Sequence, residues 1–300
     1  MHKVSSMAAA LVVSALMAGL PLAGVAQASS IQLETRHLVI SDSTGSLTDA
    51  RLHVLADEAQ SMLERVLSFW SVDSRTDELG KIRVIFDAAR GGNYSCVFYW
   101  GSGERGRVRI VRVFGSDGSP QMLAHKLTSA VLIQKDKLIR NMMGILAEEQ
   151  LGSPLTFPRC GFGSDDWVLA LLRTGAYIPL DSLGPDHGSW GMKDAGGGKL
   201  MVLDRPRQHA AYAEAGSFGG YLFHAYGIGK ILRLQRLSHE KERPWQDVFG
   251  LSLQELEADW LKALKANETA RGAEVSYVSI LLKGNPRSAC TEAQQKARTP

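Results

Sequence analysis

The stretch Met122-Leu123-Ala124-His125-Lys126-Leu127-Thr128-Ser129 carries the residues of this chain best placed to do chemistry. In the zinc-hydrolysis pattern H-E-x-x-H, two histidines one helical turn apart hold the metal, and the glutamate activates its water. Here His125 stands at the first ligand position, Lys126 in place of the base and Ser129 in place of the second ligand. A lysine ammonium offers no acceptor for the proton of a metal-bound water, and a serine hydroxyl is not among the usual zinc donors. The ammonium also sets a positive charge beside any cation, so Lys126 is expected to stand partly in the metal's place. The pattern keeps the outline of a zinc site without its chemistry.

Other reactive residue types add little. His187, His209, His224 and His239 form no H-x-x-x-H or similar pair. His187 and His209 fall in or beside a Gly-rich connection and are expected at the surface, while His224, in an apolar helix, is expected in the core. Ser217 within Ala215-Gly216-Ser217-Phe218-Gly219 has the look of a nucleophile elbow, but that motif needs a strand before the serine. Its flanks read as helix on both sides, so these small residues are expected to permit close helix packing. Three cysteines, Cys96, Cys160 and Cys290, lack metal-ligand spacing. Cys96 with Cys160 is the expected disulfide, since Cys290 lies in a polar tail.

The elements that must position these residues follow from periodicity. Leu38 to Ile40 reads as a first strand. Leu52, Leu55, Ala56, Ala59, Leu63 and Val66 repeat at helical spacing after a capping pattern at Ser46 to Asp49. Lys81 to Phe86 alternates as a strand, and the runs Cys96 to Trp100 and Arg107 to Phe114 flank a Gly-containing turn, predicting a hairpin. A helix is expected from about Pro120 through His125 to at least Met143. Trp167 to Arg173, Ala211 to Leu237 and Pro244 to Ala266 read as further helices, the last with a capping box at Ser252 to Glu255. Gly196 to Gly198 mark a mobile connection, and Val275 to Leu282 reads as a closing strand before a polar tail. Strands followed by a run of helices predict an α+β fold in which a small mixed sheet backs the helix bearing His125, with a mostly helical C-terminal half.

Length, charge and the N-terminus bound the function. The 300 residues allow one large domain or two small ones, and a net charge of +3 with interspersed signs argues against a nucleic-acid surface. His2 and Lys3, an apolar run from Met7 to Val25 and Ala26-Gln27-Ala28 read as a cleavable export signal over residues 1–28. The mature chain is expected in the periplasm or secreted, with no stable membrane span. The residues divide into that signal, a domain over 29–270 (α/β to about 150, helical from about 151) and a strand with a polar tail over 271–300.

Taken in order, the helix after the first strand, the Lys81 to Phe86 strand, the edge strand ending at Phe114, the His125 helix and Trp167-Val168-Leu169-Ala170 resemble the peptidase-MA-like (gluzincin) branch of the zinc metallopeptidases. Tyr212, Gly216-Ser217-Phe218, Tyr226-Gly227 and the segment Gly250 to Trp260 extend the likeness over roughly residues 35 to 265. The resemblance implies a zincin-like fold. It places the first metal ligand on His125, the base on Lys126, the second ligand on Ser129 and the third, a glutamate, on Ala170 or Thr174. Glu148 and Glu149 lie at a third-ligand distance of related proteins but are expected at a solvated helix end. The family's cleft-lining strand falls near Tyr94, Phe98, Tyr99 and Trp100, which makes Tyr99 and Trp100 the candidate peptide-contacting pair. The expectation is therefore a pseudopeptidase with no cofactor, binding an envelope or secreted protein or peptide. The alternatives are a metal-dependent hydrolase with a rearranged zinc site and a structural envelope domain without a ligand.

Overall fold

A computed structural model describes residues 32–73, 80–87, 95–103, 106–114, 122–195 and 200–284. Residues 1–28, on which the expected export signal falls, Tyr94, the Gly196 to Gly198 run and the tail with Cys290 lie outside them. The chain forms an α+β fold. Strands β1 (Gln32–Glu34), β2 (Leu38–Asp42), β3 (Ile82–Asp87), β4 (Ser95–Gly103) and β5 (Gly106–Phe114) make one mixed sheet in the order β1-β2-β3-β5-β4. β2, β3 and β5 run parallel, and β1 and β4 close the two ends antiparallel. β4 and β5 are the expected hairpin, in register from Ser95 opposite Phe114 to Gly103 opposite Gly106.

Strand alternation puts Leu38, Ile40, Ile82, Val84, Phe86, Val111 and Val113 on one face, each fully excluded from solvent. Helix α1 (Asp49–Phe69) follows β2, and its Leu52, Leu55, Ala59, Leu63 and Val66 are likewise buried. Thr48 rather than Ser46 caps it, its hydroxyl accepting from the Arg51 N–H at 3.2 Å. α1 packs on β2 and on α2 (Leu123–Val131), the helix that carries His125.

The expected single helix to Met143 is two helices, α2 and α3 (Lys137–Leu151). Asp136 makes the break by capping α3, its carboxylate accepting from the Leu138 and Ile139 N–H groups at 2.8 and 3.1 Å. α4 (Ser164–Thr174) carries Trp167 and Ala170, and a β6 (Met192–Asp194) and β7 (Leu200–Val202) ribbon precedes α5 (Arg205–Tyr226). α6 (Ile228–Leu237), α7 (Trp245–Phe249) and α8 (Leu253–Ala266) follow, the last with the expected Ser252–Glu255 capping box. The expected closing strand is instead a helix, α9 (Gly272–Lys283). Val275, Val278 and Ser279, at spacings of three and four, are its buried stripe, and the helix packs on α4.

α3 packs against both α2 and α5, so it lies between the His125 helix and the long central helix. Close approach comes from small residues: a Cβ on Gly219 would lie 2.7 Å from Met142 Cγ, and one on Gly216 2.7 Å from Ile145 Cγ2. This is the packing role expected for the Gly216-Ser217 stretch. No helix among the described residues is long and apolar enough to cross a membrane.

Candidate functional site

α2 begins at Met122, whose backbone is left-handed (φ 59°) and whose side chain offers no cap. The cap comes from α3. Glu148 is buried and accepts from the His125 N–H through Oε2 at 3.3 Å and from the Thr156 hydroxyl through Oε1 at 3.4 Å. A carboxylate at a helix N-terminus satisfies orphan N–H groups and meets the positive end of the helix dipole. Burial raises its pKa, while the His125 N–H and Arg159 oppose the shift. Glu149 accepts from the Ser164 hydroxyl, and burial raises its pKa too. The solvated helix end expected for this pair is therefore wrong: both carboxylates tie α3 to its neighbours.

His125 is fully buried. Its ring lies against α3 where that helix has no side chain, since a Cβ on Gly144 would fall 2.2 Å from Cδ2 and 2.6 Å from Nε2. Nε2 is 3.3 Å from the Lys126 ammonium, which donates to it and leaves the ring proton on Nδ1. Burial first, then the charges of Lys126 and Arg140, drive the imidazole pKa well below its ordinary value, against a contact with Asn141. Ser129 is buried with its hydroxyl donating back to the His125 carbonyl at 3.1 Å, a local bond within the helix. Thr128 accepts from the Trp70 indole N–H at 3.1 Å and locks α2 to α1. Ala170 is buried in α4, whose main partners are α5 and α9, and it carries no donor atom. Thr174 Oγ1 donates to the Ala170 carbonyl at 2.8 Å.

This set does not fit zinc. One neutral imidazole supplies a ligand atom already engaged by an ammonium, where a catalytic ion needs three protein ligands. Among the described residues, no group of three or more His, Cys, Asp or Glu side chains is placed to hold a metal ion.

The remaining candidates scatter. His209, expected at the surface, is buried, its ring 4.2 Å from Trp167 and 5.2 Å from Phe157. His224, expected in the core, is exposed near the end of α5, and His239 is also exposed. Ser217 donates to Asp165 at 2.6 Å and accepts from the Trp260 indole at 3.1 Å, a structural node inside a helix. Cys160 is buried and disulfide-bonded, while the side chains of Cys96 and Cys290 lie outside the described residues. Tyr99 and Trp100 do not share a cleft, because neighbours on a strand point to opposite faces. Trp100 pairs across the ladder with Arg109 on the helix-facing side and is 38% exposed, with the Arg107 guanidinium 5.4 Å from its ring. Arg109 donates to the Ala130 carbonyl of α2 at 3.0 Å, so that end of β4 lies beside α2.

One constellation was not expected at all. Lys137, 1% exposed, points its ammonium at His187 Nδ1 and stands 5.4 Å from the Trp190 ring. Trp190 meets Tyr212 edge to face at 5.5 Å, and Lys126 lies 5.9 Å over Tyr212. Burial, with Arg140 and Lys126 adding to it, lowers the Lys137 pKa to about 7. Burial and the Lys137 charge lower that of His187 to about 4. These residues are spread from 126 to 212, so no charge run announces them.

Compared with protein-family models, curated proteins and solved structures, the chain matches none.

Proposed function

We propose that this chain is an exported, zincin-like protein that binds a peptide or protein partner in the cell envelope without cleaving it. The observation that carries the reading is the edge of the sheet. β4 pairs with β5 on one side and with no other described strand on the other, and it lies along α2 with Trp100 partly open to solvent. An unpaired edge is a template for strand addition, with main-chain hydrogen bonds supplying affinity and a neighbouring aromatic an anchor. The packed His125 ring and the engaged Nε2 support loss of catalysis, and the disulfide at Cys160 supports an oxidising compartment.

The test uses reduced, alkylated casein peptides as extended probes. Binding is expected to slow hydrogen exchange of β4 amides, and Trp100→Ala is expected to weaken it by about tenfold or more, as for an aromatic anchor. The peptides are expected to emerge uncut. Unchanged exchange in β4, or equal affinity in the variant, contradicts the edge-binding reading.

A further inference from the structure

The Lys137 constellation gathers hydrogen-bond donors and cationic side chains in a largely buried place. Lys137 opens α3 and Arg140 follows one turn on, where the helix dipole is already positive and no acidic residue stands in the first turn. Of the three carboxylates that act on the cluster, Asp136 is committed: Oδ1 takes two backbone N–H groups and Oδ2 takes Arg243 Nε at 3.1 Å. Asp186 is exposed and its carboxylate accepts from the Ser189 N–H; its charge acts on both Lys137 and His187, and that of Asp194 on His187. Neither Lys137 nor Arg140 forms a salt bridge among the described residues. Lys137 meets a neutral imidazole nitrogen instead. Asn141, 2% exposed and four residues beyond Lys137 on the same helix face, has its Nδ2 without an acceptor among the described residues. Buried donors and cations are costly unless something accepts from them.

We propose that Lys137, Arg140, Asn141 and His187, beside the Tyr212–Trp190 ring pair, form a binding pocket for an oxyanion, the phosphate or carboxylate group of a small ligand. An oxyanion brings only acceptors, so it takes the free hydrogens of the ammonium, the guanidinium fork and the amide together. Lys137 and Asn141 are buried, Asn141 also against His125, while Arg140 and His187 are half-buried. Lys126 adds positive charge from the α2 side. The inference stands apart from the peptide edge, because its probes are too small to add a strand.

Calorimetric titration of the purified chain tests it, with inorganic phosphate in one arm and an acetylated glycine carboxylate in the other. Chloride at matched ionic strength and the glycine amide serve as controls. At least one oxyanion is expected to bind while both controls fail, and whichever binds identifies the ligand's source. Lys137→Met and Arg140→Met are each expected to weaken that binding by about tenfold or more, as for loss of a charge-assisted bond. Arg140→Met, at a half-buried position, decides the matter should Lys137→Met not fold. Failure of both oxyanions to bind, binding equal to that of the controls, or binding unaltered in the folded variants overturns the proposal.

Discussion

Gly144→Ala is expected to destabilise the protein by about 1–2 kcal/mol net, although alanine is the better helix former. Placing a methyl group in a helix interior ordinarily stabilises by about 1 kcal/mol relative to glycine. Here the new Cβ would overlap the His125 ring, 2.2 Å from Cδ2. The ring cannot step aside without moving Nε2 away from Lys126, and overpacking of a filled interior costs about 1–3 kcal/mol. The sign should reverse in a His125→Ala background, where the alanine methyl enters the space the ring left and helix propensity alone remains. Denaturant unfolding of the four proteins in this cycle measures it. A histidine held as a ligand in an open cleft would swing away, and Gly144→Ala would then be neutral or stabilising in both backgrounds.

Lys137→Met is expected to raise stability at pH 7 by about 2–4 kcal/mol, in line with replacing a buried charge by an apolar side chain of similar volume. The folded pKa of Lys137 is about 7 against 10.5 for an exposed lysine. Between those values the unfolded chain holds a proton that the native chain does not, so native stability rises with pH. The penalty is complete below about pH 7 and gone above about pH 10.5, amounting to about 4–5 kcal/mol at about 1.36 kcal/mol per unit. Methionine removes that penalty and loses the contacts with His187 and Trp190, which sets the smaller net gain. The difference between variant and wild type should therefore shrink steadily from pH 7 to pH 10, measured in a buffer free of phosphate and carboxylate. His187 titrates below this window and cancels from the slope. A destabilised variant, or a difference independent of pH, contradicts the burial of an uncompensated charge.

Much of the architecture is legible because it rests on local period. The alternation of Lys81 to Phe86 gives β3, the two runs about a Gly turn give the β4–β5 hairpin, and the Leu52 to Val66 stripe gives α1. The break between α2 and α3 was hidden because Leu132 and Ile133 continue the apolar period, although Asp136 before Leu138 and Ile139 is a cap signature. The closing helix is hard to read from residues 275–282 alone, because its buried stripe is only Val275, Val278 and Ser279 and its packing on α4 is tertiary. At the site, the absence of a base and of a second imidazole is visible in the letters Lys126 and Ser129. The roles of Glu148 and Lys137 are not: one caps a helix 23 residues away, and the other faces His187, 50 residues on. Such contacts are tertiary, and an acid or lysine on a helix reads as solvated until its neighbours are known.

The His125 ring is packed against Gly144 and engaged by Lys126, which makes its helix a scaffold element rather than a metal site. Zinc titration of the purified chain, with metal analysis after dialysis and a general peptidase assay on the same samples, tests it most directly. No stoichiometric zinc and no cleavage are expected, with the same result for His125→Ala. One zinc per chain, retained through dialysis, lost in His125→Ala and accompanied by peptide cleavage, would contradict it.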